Sequence, residues 1–139
     1  FDQKTAQKWA AGPGIIILCG RFEGIDERIL KRYDIEEISL GDFVMTGGEI
    51  AAQAMIDATV RLLPNVLGNP ESTIDESHSR GLLEYPQYTK PAEWKDQKIP
   101  DILLSGHHQN IAKWRMDQAK TKTQKDRPDL WKVWNKSKD

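Results

Sequence analysis

Two glycine-bearing stretches and one polar, carboxylate-rich stretch hold the residues best placed to do chemistry. Gly20-Arg21-Phe22-Glu23-Gly24 directly follows an apolar run. Gly41-Asp42-Phe43-Val44-Met45-Thr46-Gly47-Gly48-Glu49 places three glycines in nine residues. Glycine tolerates backbone conformations closed to other residues and lets a ligand approach main-chain groups. Asn69–Arg80 has one apolar residue in twelve and carries the adjacent carboxylates Asp75 and Glu76. Arg61 follows Asp57 at the spacing of an ordinary i,i+4 ion pair.

Several chemistries are absent from the pattern. There is no G-x-x-x-x-G-K-S/T phosphate loop and no G-x-G-x-x-G after a strand. The three histidines, His78, His107 and His108, match no zinc spacing, and Cys19 is the only cysteine. No serine sits in a nucleophile elbow. These features argue against an ATPase, an ordinary dehydrogenase, a zinc enzyme and a serine hydrolase. A lone cysteine also excludes an internal disulfide and fits a reducing cytoplasm.

The elements that would position these stretches follow from periodicity. Ala6–Ala10 reads as the end of a helix broken by Gly12 and Gly14. Ile15–Cys19 is continuously apolar between glycines and predicts a strand buried on both faces. Ile25–Tyr33 predicts a helix and Ile35–Leu40 a second strand. Thr46 and Glu49 have capping-box spacing, so a long helix is expected from just after Thr46 to about Leu63, stopped by Pro64. Strand, loop, helix repeated twice is an α/β pattern, in which ligands sit beyond the carboxyl ends of strands. Both glycine loops lie there. Residues 81–106, punctuated by Pro86, Pro91 and Pro100, read as irregular. Asn110–Lys122 predicts a helix with Ile111, Trp114, Arg115 and Gln118 on one stripe. After the Arg127-Pro128 break, Asp129–Lys136 predicts a last short helix.

At 139 residues and 38% hydrophobic composition, the chain can form one ordinary domain or two small ones. No apolar run approaches the ~20 residues of a membrane-spanning helix, and no signal-peptide plan is present. The start at Phe1 without methionine reads as a piece of a longer protein. The net charge of −1 conceals an asymmetry. Residues 109–139 hold nine Lys/Arg against four Asp/Glu, and residues 1–108 eleven against seventeen. A basic tail is what polyanion binding needs, although charge alone favours a solvated helix face.

Four segments in order resemble one family. Leu18-Cys19-Gly20-Arg21-Phe22-Glu23-Gly24-Ile25-Asp26-Glu27-Arg28 resembles its L-C-G-R-Y-E-G-I-D-E-R, and Ile38–Glu49 its S-I-G-D-Y-V-L-S-G-G-E. Gly81–Pro91 resembles G-L-L-x-x-P-x-Y-T-R-P, and Leu103–His108 with Trp114-Arg115 resembles L-L-S-G-x-H and W-R. The family is that of the bacterial tRNA (guanine-N1)-methyltransferases of the SPOUT class. The resemblance covers nearly the whole chain and starts midway through the catalytic domain.

The resemblance implies a SPOUT trefoil-knot domain, its N-terminal part missing, over 1–67. A linker over 68–83 and a small helical tRNA-binding domain over 84–139 follow. It implies S-adenosylmethionine held by Gly20, by the run Leu40, Gly41, Asp42, Phe43, Val44 and Met45, and by Gly47 and Gly48. It implies methylation of N1 of the guanosine beside the anticodon. That reaction needs a base for the N1 proton and a cation for charge moving onto oxygen. The implied cation is Arg61. The implied base lies five residues before the glycine of G-L-L, at Glu76, where the family has aspartate. Asp75, one residue earlier, remains the alternative, and His78 replaces the family's phenylalanine. Glu23 matches a loop glutamate near the target base, and Phe22 stands where tyrosine is frequent. Phosphate contacts fall to His108, Lys113, Arg115, Lys122 and Arg127, while Asp126 replaces a residue that tends to be basic. Trp114, Trp131 and Trp134 are expected in the core of the helical domain. The resemblance further implies a cytoplasmic homodimer, the tail domain of one protomer closing over the catalytic loops of the other. No metal is obligatory, and Mg2+ is left open as an auxiliary ion. The rival readings are a non-catalytic RNA-binding fragment, a knotted ribose methyltransferase, and a doubly wound nucleotide-binding regulator.

Overall fold

The computed structural model describes residues 1–68 and 76–137. The chain divides into two units, Phe1–Pro70 and Glu71–Asp139.

In the first unit, α1 spans Gln3–Ala10. Asp2 caps it: its Oδ1 accepts both the Thr5 amide and the Thr5 hydroxyl at 2.8 Å. These bonds, the backbone one foremost, hold the Asp2 carboxyl below its ordinary value. The short α2, Glu27–Arg32, begins at Asp26, whose side chain accepts the Arg28 amide at 2.9 Å. The longer α3, Glu49–Val60, packs against α1. Its buried stripe is Ala52, Met55 and Thr59, the i, i+3, i+7 spacing of one helix face. With fully buried Ala6, these residues form the core of this unit.

Two expectations fail here. Ile15–Cys19 and Ile35–Leu40 form no strands, so the anticipated α/β parallel sheet is absent among the described residues. Nor is Ile15–Cys19 buried on both faces: Ile16 is 102% exposed and Leu18 56%. An apolar run becomes a strand only when its amides and carbonyls find a ladder, and neither segment pairs with the other. The capping box also does not form. The N-cap of α3 is Gly48, with no side-chain bond to it. The Glu49 carboxylate is instead engaged by Arg21, at 2.8 Å.

The second unit is helical. A hairpin, β1 (Glu93–Trp94) and β2 (Gln97–Lys98), pairs Glu93 with Lys98 and Trp94 with Gln97. Lys95 and Asp96 turn it with φ of 47° and 63°, the double left-handed step that fits the twist of a two-residue hairpin. The stretch expected to be irregular thus contains this hairpin and a single turn, α4, Asp101–Leu104. Next, α5 runs from His108 to Asp126, longer at both ends than periodicity indicated. Arg127 ends α5 and begins α6, Pro128–Lys136, with Pro128 in the first turn where its missing N–H costs nothing. α6 packs on α5, and α4 also lies against α5. Trp131 and Trp134 stack at 5.3 Å, and Tyr88 meets Trp114 at 6.4 Å. The three tryptophans are half-buried, contributing to packing as expected.

Candidate active site

The two glycine loops meet in the first unit. The Gly48 amide donates to the Gly20 carbonyl at 3.3 Å. A Cβ on Gly48 would lie 3.2 Å from the Cys19 Cα, which is backbone and cannot swing aside. A side chain at 48 would therefore have to press the two segments of chain apart by a few tenths of an ångström. Beside this contact, the exposed Arg21–Glu49 ion pair bridges the loops. Solvent screens the pair, so it orients the loops more than it stabilises them. The Glu49 carboxyl sits below its ordinary value, through its own backbone amide first and the Arg21 guanidinium second. Gly47 lies under the same pair, its would-be Cβ near both Glu49 and Arg21. Gly20, Gly47 and Gly48 are thus brought together. Arg21 and Glu49 join them, although sequence reasoning gave Glu49 only a capping role and Arg21 none.

The run 40–45 turns tightly on itself. The Ser39 hydroxyl accepts the Gly41 amide at 3.1 Å, and the Phe43 amide reaches the Gly41 carbonyl at 3.0 Å. Leu40 and Met45 are half-buried, whereas Gly41, Asp42, Phe43 and Val44 are exposed. Glu23 is exposed in a turn where Phe22 has φ 60° and Gly24 φ 110°. Left-handed backbone at a phenylalanine is an uncommon, strained state that clusters at functional loops. Arg61 is the half-buried C-cap of α3, its amide donating to the Asp57 carbonyl at 3.2 Å.

In the second unit, Glu76 opens a loop closed by its own hydrogen bonds. The Ser79 hydroxyl donates to the Glu76 carbonyl at 2.7 Å, and the His78 amide to the Leu82 carbonyl at 2.8 Å. The Glu84 amide donates to the Ser77 hydroxyl at 2.9 Å. Gly81 takes φ 76°, a conformation that favours glycine. Asp75 lies outside the described residues. Glu76 and Arg115 line one cavity of about 130 Å³ with Leu82, Tyr85, Met116 and Ala119 among its walls.

The proposed phosphate ligands divide. His108, Arg115 and Lys122 recur every seven residues along α5 and share a stripe. Arg115 lies over the Tyr85 ring at 4.9 Å. Lys113 falls on the opposite side of the helix. Arg127 grips Asp129 through two hydrogen bonds, of 2.9 and 2.6 Å, which push the Asp129 carboxyl down to about 2. Among the described residues, no three His, Cys, Asp or Glu side chains gather to hold a metal ion. No helix is long and apolar enough to cross a membrane.

Known proteins similar to this chain are RNA-modifying methyltransferases by name. Residues 1–133 match the family model described as tRNA (guanine-1)-methyltransferase TrmD. A tRNA (guanine-N(1)-)-methyltransferase of Cereibacter sphaeroides strain KD131 is 61% identical over 134 residues, covering 96% of this chain and 54% of the relative. That of Ruegeria pomeroyi is 61% identical over all 139 residues, covering 57% of the relative. That of Nitrobacter winogradskyi is 59% identical over 131 residues, covering 94% of this chain and 55% of the relative. The chain belongs to the tRNA (guanine-1)-methyltransferase family, which implies the SPOUT methyltransferase fold. It spans about half the length of the curated relatives it matches.

Proposed function

We propose that the protein to which this chain belongs methylates N1 of the guanosine next to the anticodon of tRNA, with S-adenosylmethionine as donor. The observation that carries this reading is the main-chain contact between Gly20 and Gly48, which joins two family-matched loops into one cradle. The cradle fits the donor chemically. A Cβ at Gly48 would press on the Cys19 backbone, and the neighbouring run 40–45 offers exposed main chain and the exposed Phe43 and Val44 side chains. Gly20, Leu40, Gly41, Asp42, Phe43, Val44, Met45, Gly47 and Gly48 are the residues that hold it. The donor supplies an activated methyl group on a sulfonium.

The chain's own residues then have a proton and a charge to manage. The Glu76 carboxylate takes the proton from guanine N1, and the N–H electron pair becomes the nucleophile. Charge drawn onto the guanine oxygen is offset by Arg61. Glu23 lines the approach of the target base. Asp75 is the alternative base. Mg2+ is an auxiliary ion in this reading. His108, Arg115 and Lys122, on one stripe of α5, meet tRNA phosphates together with Arg127, while Lys113, on the opposite side of the helix, contributes least. The layout is a knotted domain over 1–67, a linker over 68–83 and a tRNA-binding domain over 84–139. The protein works as a cytoplasmic homodimer with shared active sites; full exposure of Ile16 and Phe22, at 102% each, supports a covering second surface.

Mass spectrometry of tRNA nucleosides after incubation with the full-length protein tests the reading. The expected product is 1-methylguanosine beside the anticodon, and a different methylated nucleoside overturns the assignment. Glu76→Gln is expected to abolish turnover while leaving donor binding intact. If Asp75→Asn is the inactive variant instead, the base lies one residue earlier.

A further inference from the structure

Thr123 is the largest fully buried side chain of the described residues, at 0% exposure, and no part of the proposed chemistry employs it. Its hydroxyl proton goes to the Ala119 carbonyl one turn back along α5, at 2.7 Å. A hydroxyl retains lone pairs after donating, and one of these accepts the Leu83 amide at 2.8 Å, across forty residues of sequence.

The Leu83 amide is the central anchor of the Glu76 loop. On either side of it the loop closes on itself, through His78 to Leu82 and through Glu84 to Ser77. Its far side rests on α6, where a Cβ at Gly81 would stand 3.5 Å from the Trp134 ring. Thr123 is therefore a point at which the buried face of α5 grips the main chain of this loop directly. Ala119, the residue to which Thr123 donates, lines the same cavity as Glu76. The anchor and the carboxylate residue share one face of α5.

We propose that Thr123 is a positioning residue for the base: its hydroxyl clamps Leu83 and thereby fixes where Glu76 presents its carboxylate. The proposal rests on Glu76 being the base. A base must lie within hydrogen-bond reach of its proton, and misplacement by about 1 Å costs roughly 100-fold in rate. The clamp acts on the rate of the proton-transfer step, leaving the cofactor cradle and the tRNA-facing cations untouched.

The test compares Thr123→Val with Thr123→Ser in the full-length enzyme. Valine keeps the volume and removes the acceptor; serine keeps both hydrogen bonds. Thr123→Val is expected to lower kcat roughly 10- to 100-fold with KM for tRNA and donor affinity unchanged. Thr123→Ser is expected to restore kcat to near the parent. Unchanged kcat in Thr123→Val overturns the proposal. So does a loss that serine does not rescue, or one accompanied by an equal loss of donor affinity, since both would mark a purely structural role. If the valine variant is unfolded at the assay temperature, Thr123→Cys, with a thiol that accepts an amide only weakly, carries the same comparison. Full activity of Glu76→Gln alone removes the assigned base and is distinguishable from failure of the clamp.

Discussion

Gly48→Ala isolates the loop contact on which the proposed cofactor cradle depends. The new methyl group would stand 3.2 Å from the Cys19 Cα and 3.4 Å from its Cβ. Overpacking of this kind costs about 1–3 kcal/mol. Loss of glycine's backbone freedom returns about 0.4–1 kcal/mol, because Gly48 has φ −81° and alanine adopts that without strain. The midpoints of the two ranges leave about 1.3 kcal/mol against the closed loops. If the strain is relieved by parting Gly48 from Gly20, a ligand that needs both loops must draw them back, which weakens binding by about 5- to 30-fold. Isothermal calorimetry with S-adenosylmethionine on the full-length protein measures this directly. Gly68→Ala is the matched control, since a Cβ there meets nothing within 4 Å. Donor affinity for Gly48→Ala within twofold of the parent, with Gly68→Ala the same, would refute the idea that the loop contact shapes the site.

Three other outcomes follow from the geometry. Met55, 4% exposed, holds the centre of the α3 stripe; Met55→Ala should destabilise the protein by about 2–5 kcal/mol in urea melts, and a negligible loss would show that α1 and α3 do not share a cooperative core. Arg115→Ala should weaken tRNA binding and flatten its salt dependence by about one unit of slope, whereas Lys113→Ala on the far side of α5 should change both little; equal effects in filter binding would dissolve the stripe. Arg127 lowers the Asp129 carboxyl from 3.8 to about 2. A depressed folded value means that the pair's contribution is complete above pH about 4 and disappears as pH falls through about 2. Thermal melts of the parent and Asp129→Asn should therefore differ most above pH about 4 and converge at the acid end; a gap that widens on acidification contradicts the pairing.

Helices were legible because their apolar spacing is a property of the segment itself. α5 announces itself through Ile111, Trp114 and Gln118, whereas α3 was placed by the Pro64 stop and by a capping box that the fold does not use, and its buried stripe of Ala52, Met55 and Thr59 emerged only in the structure. The strands misled because a run such as Ile15–Cys19 records affinity for a sheet and says nothing of whether a partner ladder is present. The capping box at Thr46 and Glu49 failed because a local pattern lost to Arg21, a competitor 28 residues away. The hairpin was invisible: two-residue strands carry no alternation, and Lys95-Asp96 lacks the glycine that usually marks its turn. The glycine loops and Glu76 were found through resemblance in long motifs, and periodicity alone would not have singled them out. Thr123 was passed over since a threonine near a helix end has no signature; its importance comes from Leu83, which only tertiary structure brings to it.

The Thr123–Leu83 hydrogen bond also bears on the order in which the second unit assembles. Closing a forty-residue loop costs about 3 kcal/mol of chain entropy by the logarithmic rule, and nothing local repays it. The Glu93–Lys98 hairpin and the packing of α4 and α6 on α5 join near neighbours along the chain and can form early. The segment carrying Glu76 can dock only on a finished α5. Its attachment is thus expected to be weaker than that of the helical platform beneath it, so that hydrogen exchange at the Leu83 amide should be faster than at the amides in the middle of α5.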